Sequence, residues 1–334
     1  MPETVAICTL IEDRKAALIP RLAPRWAGID LGGRERIYVV CTQDATEPTV
    51  AEFRRGVAPA EIRQVTLGNL EVLAPGAAQA DTWGPDQLLR IAYMRQAVRQ
   101  AALATAADWF FWIDSDVDPD AAGRPSFGCL HQCLTATVGP LRPRLASGVY
   151  ATRFCGLPIQ QWIDGNGNSY LPLLADRQTY SRVTGFGCLL MHREVLERVG
   201  WQDYPQHIAD VKRHAEEAGQ VEGVFGEDCW FSRLAEYAWG MPTLVDSRVL
   251  CRHYHADGSY WHYVPGEERS LQPRYVPAGA TPGVTTRVRY HGEAALDWPI
   301  LGRTIEPGEE VDLSPELLLT FETVIPGQYE EVAA

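Results

Sequence analysis

Nowhere in this sequence do about 18 apolar residues run together, the least that a membrane-crossing helix needs. The opening stretch "MPETVAICTLIEDRK" also lacks the basic region, apolar core and small-residue cleavage site of a secretory leader. Both absences predict a cytoplasmic protein with no membrane span. Basic charge is scarce: 30 Lys and Arg stand against 43 Asp and Glu, for a formal net charge of −13. Phosphate backbones need clustered Lys and Arg, so this balance argues against a general polyanion binder. It leaves open a small anionic ligand held by a metal and a few arginines. Tightly spaced cysteines are absent except for "CLHQC" (Cys129 and Cys133), and no second pair completes a zinc site. Cys8, Cys41, Cys188 and Cys251 lie in apolar strand-like runs, where a thiol packs as a small hydrophobe. Reduced thiols in a reducing compartment follow.

The 334 residues suffice for one large α/β domain, alone or with a small appendage. Ten Trp and thirteen Tyr suit a plain core and the stacking walls of a pocket equally well. Short apolar runs alternate with helical patterns in the first half. "TVAICTLI" (4–11) and "RIYVVCT" (36–42) predict buried strands, and "LEVLAP" (70–75) a third. "KAALIPRLAPRW" predicts an irregular helix interrupted by Pro20 and Pro24. In "DQLLRIAYMRQAVRQAALATA", Leu88, Ile91, Met94, Val98 and Ala102 recur at steps of three and four, which predicts an amphipathic helix. The strand "WFFWI" follows at once. Continuous rather than alternating apolar strands between helices indicate a mostly parallel sheet covered on both faces. Further on, "ASGVYATRF" (146–154) predicts a strand and "GFGCLLMHREVLERVG" (185–200) a strand feeding a helix capped by Gly200. "EDCWFSRLAEYAWG" (227–240) predicts a helix stopped by Gly240, and "PTLVDSRVLCRHYH" closing strands. Three regions result: 1–263, a Pro/Gly-rich linker 264–284, and a small acidic β-rich appendage 285–334. From 285 on, three basic residues face ten acidic ones.

"WFFWIDSDVDPD" (109–120) sets four carboxylates directly behind the most apolar run. In an open parallel sheet, ligands bind beyond the carboxyl ends of the strands. Alternation along a strand would put Asp114 and Asp116 on one side, where like charges repel unless a proton or a metal lies between them. All-oxygen ligation at such a mouth suits Mg²⁺ or Mn²⁺, which also bridge diphosphate oxygens. A solvated acidic turn is the competing reading, since Asp and Pro119 both favour turns. Later in the chain, Glu227 and Asp228 open a helix, where the dipole keeps a carboxylate ionised; both could equally be capping residues. His253 and His255 share a strand face with Val249 and Cys251, as metal ligands or as structural hydrogen-bonding groups.

Together these stretches resemble the glycosyltransferases of the A-type fold (GT-A), above all the inverting, nucleotide-sugar-dependent members. The resemblance rests on "VAICTLIEDR", the helix before "WFFWIDSD" with its D-x-D, "GFGCLLMHREVLERVG", the "GED" helix and the late "CRHYH", in family order over about residues 4 to 262. It implies a GT-A, Rossmann-like α/β fold and a hexosyltransferase that uses a UDP- or GDP-linked sugar and Mn²⁺ or Mg²⁺. By position, it implies that Asp116 binds the metal and that Asp114 faces the ribose or a metal-bound water. His253 becomes the late metal ligand, with His255 second choice. Asp228 becomes the general base and Glu227 an acceptor contact. Thr9 lies beside the base of the nucleotide, Arg90 and Arg95 reach the nucleotide or its diphosphate, and Gly185 and Gly187 let backbone approach the sugar pocket. "CTQDATEPT" departs from the acid-rich family pattern after the second strand and keeps only Asp44 as its remnant. "SYWHYVPG" reads either as a lid over the donor or as a packed aromatic loop.

Two other functions compete. A sugar-phosphate nucleotidyltransferase would want a glycine-rich phosphate loop after the first strand, and "TLIEDRKAAL" has no glycine. A non-catalytic nucleotide-sugar-binding module would tolerate changes at Asp116. The acceptor is a hydroxyl on a saccharide, a protein or a modified nucleobase, for which Arg142, Arg144 and Arg153 could line a basic groove. The apolar stretches "WPIL" and "LLLTF" of the C-terminal region are expected to pack either on the catalytic domain or on another copy of the chain, as a homo-oligomer.

Overall fold

The computed structural model describes residues 3–67, 85–121, 124–136, 143–151, 161–164, 167–170, 173–218, 226–265, 270–277, 286–292, 294–298, 303–313 and 328–332. The elements positioning the site are, in chain order, β1 (Thr4–Glu12), α1 (Ile19–Ala27), β2 (Glu35–Asp44), α2 (Glu47–Val57), β3 (Glu61–Val65), α3 (Pro85–Leu103), β4 (Trp109–Trp112), β5 (Val117–Asp118), α4 (Ser126–Ala136) and β6 (Leu145–Val149). They continue with β7 (Gln161–Asp164), β8 (Gly167–Tyr170), β9 (Gln178–Ser181), β10 (Leu189–His192), α5 (Arg193–Arg198), α6 (Tyr204–Ala218), α7 (Glu227–Trp239), β11 (Thr243–Leu250), β12 (Arg252–Tyr254), β13 (Tyr260–Pro265) and β14 (Leu271–Val276).

The central sheet has eight strands in the order β3-β2-β1-β4-β10-β6-β11-β9. β10 and the edge strand β9 run against the other six. The expected architecture, a mostly parallel sheet flanked by helices, is the one observed. β1 is buried from Val5 to Glu12 because it lies between β2 and β4 with helices over both faces. Chain order runs outward from β1 through β2 to β3, then returns to β4 on its other side. The carboxyl ends of β1 and β4 therefore flank a topological switch point, where the crevice of an open α/β sheet opens.

The helix periodicity holds: Leu88, Ile91, Met94, Val98 and Ala102 of α3 are all buried against the sheet. Pro20 starts α1 rather than breaking it, and only Pro24 lies inside. "LEVLAP" lies outside the described residues, and the strand beside β2 is the polar β3, an edge where little apolar pattern is needed. α5 ends at Arg198 with Val199, not Gly200, as its C-cap, while Gly240 does stop α7 in the left-handed region at φ 61°.

A second sheet, β14-β13-β12-β5, is antiparallel throughout. It reaches into the stretch expected to be a linker, because Pro273 sits on its edge strand, where a missing N–H costs least. "SYWHYVPG" supplies the inner strand β13, with Trp261 and Tyr263 buried, so the packed aromatic alternative describes it. Beyond it come β15 (Thr286–Tyr290), β16 (Leu296–Trp298), β17 (Arg303–Ile305), β18 (Glu310–Leu313) and β19 (Tyr329–Glu331). They form one three-stranded and one two-stranded sheet with a small core of Val288, Tyr290, Ile305, Val311 and Leu313. The appendage is β-rich, as expected.

Candidate active site

The acidic run begins where β4 ends. After Trp112 the backbone turns, Val117 N–H donating to the Asp114 carbonyl at 2.9 Å. Strand alternation therefore does not govern Asp114 and Asp116, and each takes its own cation. Asp114 Oδ1 accepts from Arg95 Nη2 at 3.2 Å. Asp116, only 1% exposed, has Oδ2 at 3.0 Å from Lys15 Nζ and 3.3 Å from His253 Nε2. Asp118, equally buried, is ion-paired with Arg25. Asp120 Oδ1 accepts from Ser126 N–H at 2.8 Å, at the start of α4. The repulsion expected within this run is thus answered residue by residue.

Arg95 joins two motifs far apart in sequence. It is buried on α3, donates from Nε to Glu227 Oε1 at 3.0 Å, and packs its guanidinium 4.6 Å from the Phe186 ring centroid. Both of these polar contacts go to carboxylates. Arg90 likewise donates from Nε to Asp44 Oδ2 at 3.1 Å, so Asp44 and Arg90 hold each other. Thr9, near the end of β1, is buried, and its hydroxyl has no hydrogen-bond partner among the described residues.

Glu227 and Asp228 form the first turn of α7, with Gly226 as N-cap. The Glu227 carbonyl accepts from Trp201 Nε1 at 2.9 Å, and Trp201 stacks on Phe231 at 4.6 Å between centroids. Asp228 Oδ1 accepts from Cys229 N–H at 2.7 Å. Burial raises the Glu227 carboxyl above the usual range, and the neighbouring Asp228 charge adds to it against the pull of Arg95. Burial raises Asp228 in the same direction, with Arg95 and the Cys229 N–H opposing. Along the same helix, Trp230, Arg233, Leu234 and Tyr237 line an open cleft of about 280 Å³ with His207.

A backbone ladder delivers the late histidine. β12 pairs with β5 so that His253 lies opposite Val117, and Tyr254 N–H donates to the Asp116 carbonyl at 2.8 Å. His253 Nδ1 is 2.7 Å from the Ala151 carbonyl, which can only accept. Nδ1 therefore carries hydrogen, and Nε2 faces the Asp116 carboxylate. The two stand 3.3 Å apart, with the Lys15 ammonium on the same carboxylate oxygen. His255 goes elsewhere: the chain turns after Tyr254, His255 N–H donates to Ser259 O, and its ring meets Tyr275 at 5.6 Å.

Gly185 is buried in the turn before β10. Gly187 N–H donates to the Tyr150 hydroxyl at 2.8 Å, and a Cβ there would stand 2.7 Å from the Tyr150 ring and 3.0 Å from Val117 Cγ2. Its lack of a side chain makes room for Tyr150, whose ring lies edge-on to His253 at 5.8 Å. Gly187→Ala should overpack this contact at a cost of about 1–3 kcal/mol, read as a lower urea midpoint. An unchanged midpoint would mean that Tyr150 moves freely.

Sequence reasoning missed Glu12, Lys15, Arg25 and Tyr150. The signal available for Glu12 and Lys15 was position: "EDRK" ends β1 and continues past it, at the carboxyl end of the sheet where the D-x-D stands, whereas Arg25 lies on α1 with no such local signal. Among the described residues no three His, Cys, Asp or Glu side chains converge as a ready-made metal cluster. Asp116 and His253 nevertheless suit a hexacoordinate ion that takes one or two protein ligands and completes its shell with phosphate oxygens and water.

No family profile and no curated protein matches the chain. Several solved structures are similar in shape. A197 from STIV aligns at a TM-score of 0.42 with 11% identity, over 84% of this chain and 97% of its own. Core-mannan synthase A of Aspergillus fumigatus, in a Mn/GDP form, aligns at 0.42 with 9% identity, over 75% of each chain. The mannosyltransferase PcManGT from Pyrobaculum calidifontis, in complex with GDP-Man and Mn²⁺, aligns at 0.40 with 12% identity, over 75% of this chain and 58% of its own. The strand order described above stands independently of these likenesses. Among the described residues no helix is long and apolar enough to cross a membrane.

Proposed function

We propose that the chain is a GT-A glycosyltransferase that moves a sugar from a UDP- or GDP-linked donor to an acceptor hydroxyl with inversion, using a divalent metal. One observation carries the reading: both ends of the D-x-D turn are held by the other motifs. Arg95 ties Asp114 to Glu227, and the β5–β12 ladder sets His253 on Asp116. Asp116 and His253 would hold Mn²⁺ or Mg²⁺, which when bound neutralises charge on the departing diphosphate. Asp228 accepts the proton of the acceptor hydroxyl as that oxygen attacks the anomeric carbon and the bond to the diphosphate breaks. Its destabilised carboxylate favours taking that proton. Glu227, locked by Arg95 and Trp201, orients the turn that presents Asp228. The catalytic region extends beyond residue 263 to include β14 (Leu271–Val276), which is paired into the sheet that carries His253, and the acidic unit from 285 serves association.

The test is donor hydrolysis and transfer with UDP- and GDP-sugars in Mn²⁺ and in a strong chelator. Asp116→Asn should lower metal-dependent turnover on the order of 10³-fold, the loss of several kcal/mol of charge stabilisation. Removing the repulsion among the aspartates suggests a neutral effect on stability, but the ion pair with Lys15 reverses that expectation. Breaking this buried pair should cost about 3 kcal/mol. Full activity of the variant in chelator would overturn the reading.

A further inference from the structure

We propose that Lys15 is an internal counter-ion that keeps a divalent metal off Asp116 until a nucleoside diphosphate arrives, so that metal and diphosphate bind as a pair. The inference rests on the metal-dependent reading above and names its regulation. Lys15 lies in the short turn of helix directly after β1 and is nearly buried, at 9% exposure. Its Nζ is 3.0 Å from Asp116 Oδ2, the oxygen that also faces His253 Nε2. A metal held by Asp116 and His253 would compete with Lys15 for that carboxylate. Ammonium and metal would then be two cations at one carboxylate, in a site nearly closed to water where little screens their repulsion.

The lysine has somewhere to go. Glu12 Oε2 is already 3.6 Å from Nζ, and Glu12 is itself buried and held by Arg14 through Nε and Nη2, at 2.7 and 2.9 Å. A four-carbon stem lets the ammonium swing without moving the backbone. Displacement toward Glu12 leaves an ammonium only partly neutralised, because Arg14 shares that carboxylate. The anionic oxygens of a diphosphate remove the shortfall by accepting both the metal and the ammonium. Metal alone thus meets a repelling cation, whereas metal with diphosphate meets a charge-balanced site. Thermodynamic reciprocity then requires each to strengthen the other.

The experiment measures Mn²⁺ binding to the full chain by titration calorimetry or by the paramagnetic signal of free Mn²⁺, alone and with saturating UDP or GDP. Lys15→Met keeps the stem and removes the charge, and Lys15→Arg keeps the charge. In the native chain, the better diphosphate should tighten Mn²⁺ by about tenfold or more, within the usual range of site-to-site coupling. Lys15→Met should bind Mn²⁺ alone about tenfold tighter than the native chain, with the coupling correspondingly smaller. Lys15→Arg should resemble the native chain. Unchanged or weaker Mn²⁺ binding by Lys15→Met overturns the inference, as does Lys15→Arg binding the metal as tightly as Lys15→Met. If Lys15→Met does not fold, native-like coupling in Lys15→Arg supports the inference, and its loss overturns it. Mn²⁺ binding with diphosphate in the native chain keeps the metal-dependent reading alive whatever the lysine variants do. No Mn²⁺ binding under any condition ends both.

Discussion

Asp228→Asn should lower sugar transfer roughly 10²- to 10⁴-fold while leaving donor affinity nearly unchanged. The fold should survive, because the amide oxygen of Asn can still accept the Cys229 N–H that Asp228 Oδ1 accepts at 2.7 Å, and Gly226 remains the N-cap. The pH profile separates a base from a structural residue. A protonated carboxyl cannot take the acceptor's proton, so the rate must rise with pH through the Asp228 titration. Burial raises that titration, so the midpoint of the rising limb should lie above the ordinary aspartate value of about 3.9. The residual rate of Asp228→Asn should lack this limb. For stability the sign is opposite. Glu227 and Asp228 both titrate higher in the fold than in the unfolded chain, so the folded state binds the extra protons. Their contribution is most favourable below the unfolded values and is lost as pH rises through the folded ones. Donor affinity lost at unaltered turnover would assign Asp228 a purely structural role.

Arg95→Met should produce the largest loss of stability, about 3–5 kcal/mol, the usual cost of removing one partner from a buried ion pair. Met retains part of the packing over Phe186 and Trp112, whose ring centroids lie 4.6 and 5.8 Å from the guanidinium. It leaves Glu227 and Asp114 without the cation that both contact at 3.0 and 3.2 Å. The melting temperature should fall on the order of 10 °C. Arg95→Lys keeps the charge but not the planar fork that reaches two carboxylates, so it should fall between the two. A melting temperature unchanged in Arg95→Met would show that the two acids are neutral without it.

Much of the frame was legible in the sequence because the frame is what apolar periodicity encodes. The buried face of α3 and the unbroken apolar strands β1, β2 and β4 each follow from residue order. The D-x-D could be placed at a strand end for the same reason. What residue order did not encode was which charge answers which. Lys15 reaches Asp116 across about a hundred residues, and Arg95 reaches Glu227 across still more; neither pairing leaves a local pattern. Strand alternation failed at Asp114 because hydrogen bonding to β1 ends and a turn takes over. Pro273 signalled a linker, yet it also satisfies an edge strand, and only the partner β13 decides between them. The two histidines of "CRHYH" looked equivalent until the turn after Tyr254 separated them.

The reversed strand β10 also bears on how the chain can be made. Four strands, β3-β2-β1-β4, are complete once Trp112 has left the ribosome, with the all-apolar "WFFW" as their outer edge. The strand that covers this edge, β10, starts at Leu189 and pairs with β4 residue for residue. At about 5–20 residues per second, the intervening 76 residues take roughly 4 to 15 s to synthesise. For that interval a sticky sheet edge waits for its partner, so the nascent chain is most prone to aggregate between the birth of β4 and the arrival of β10.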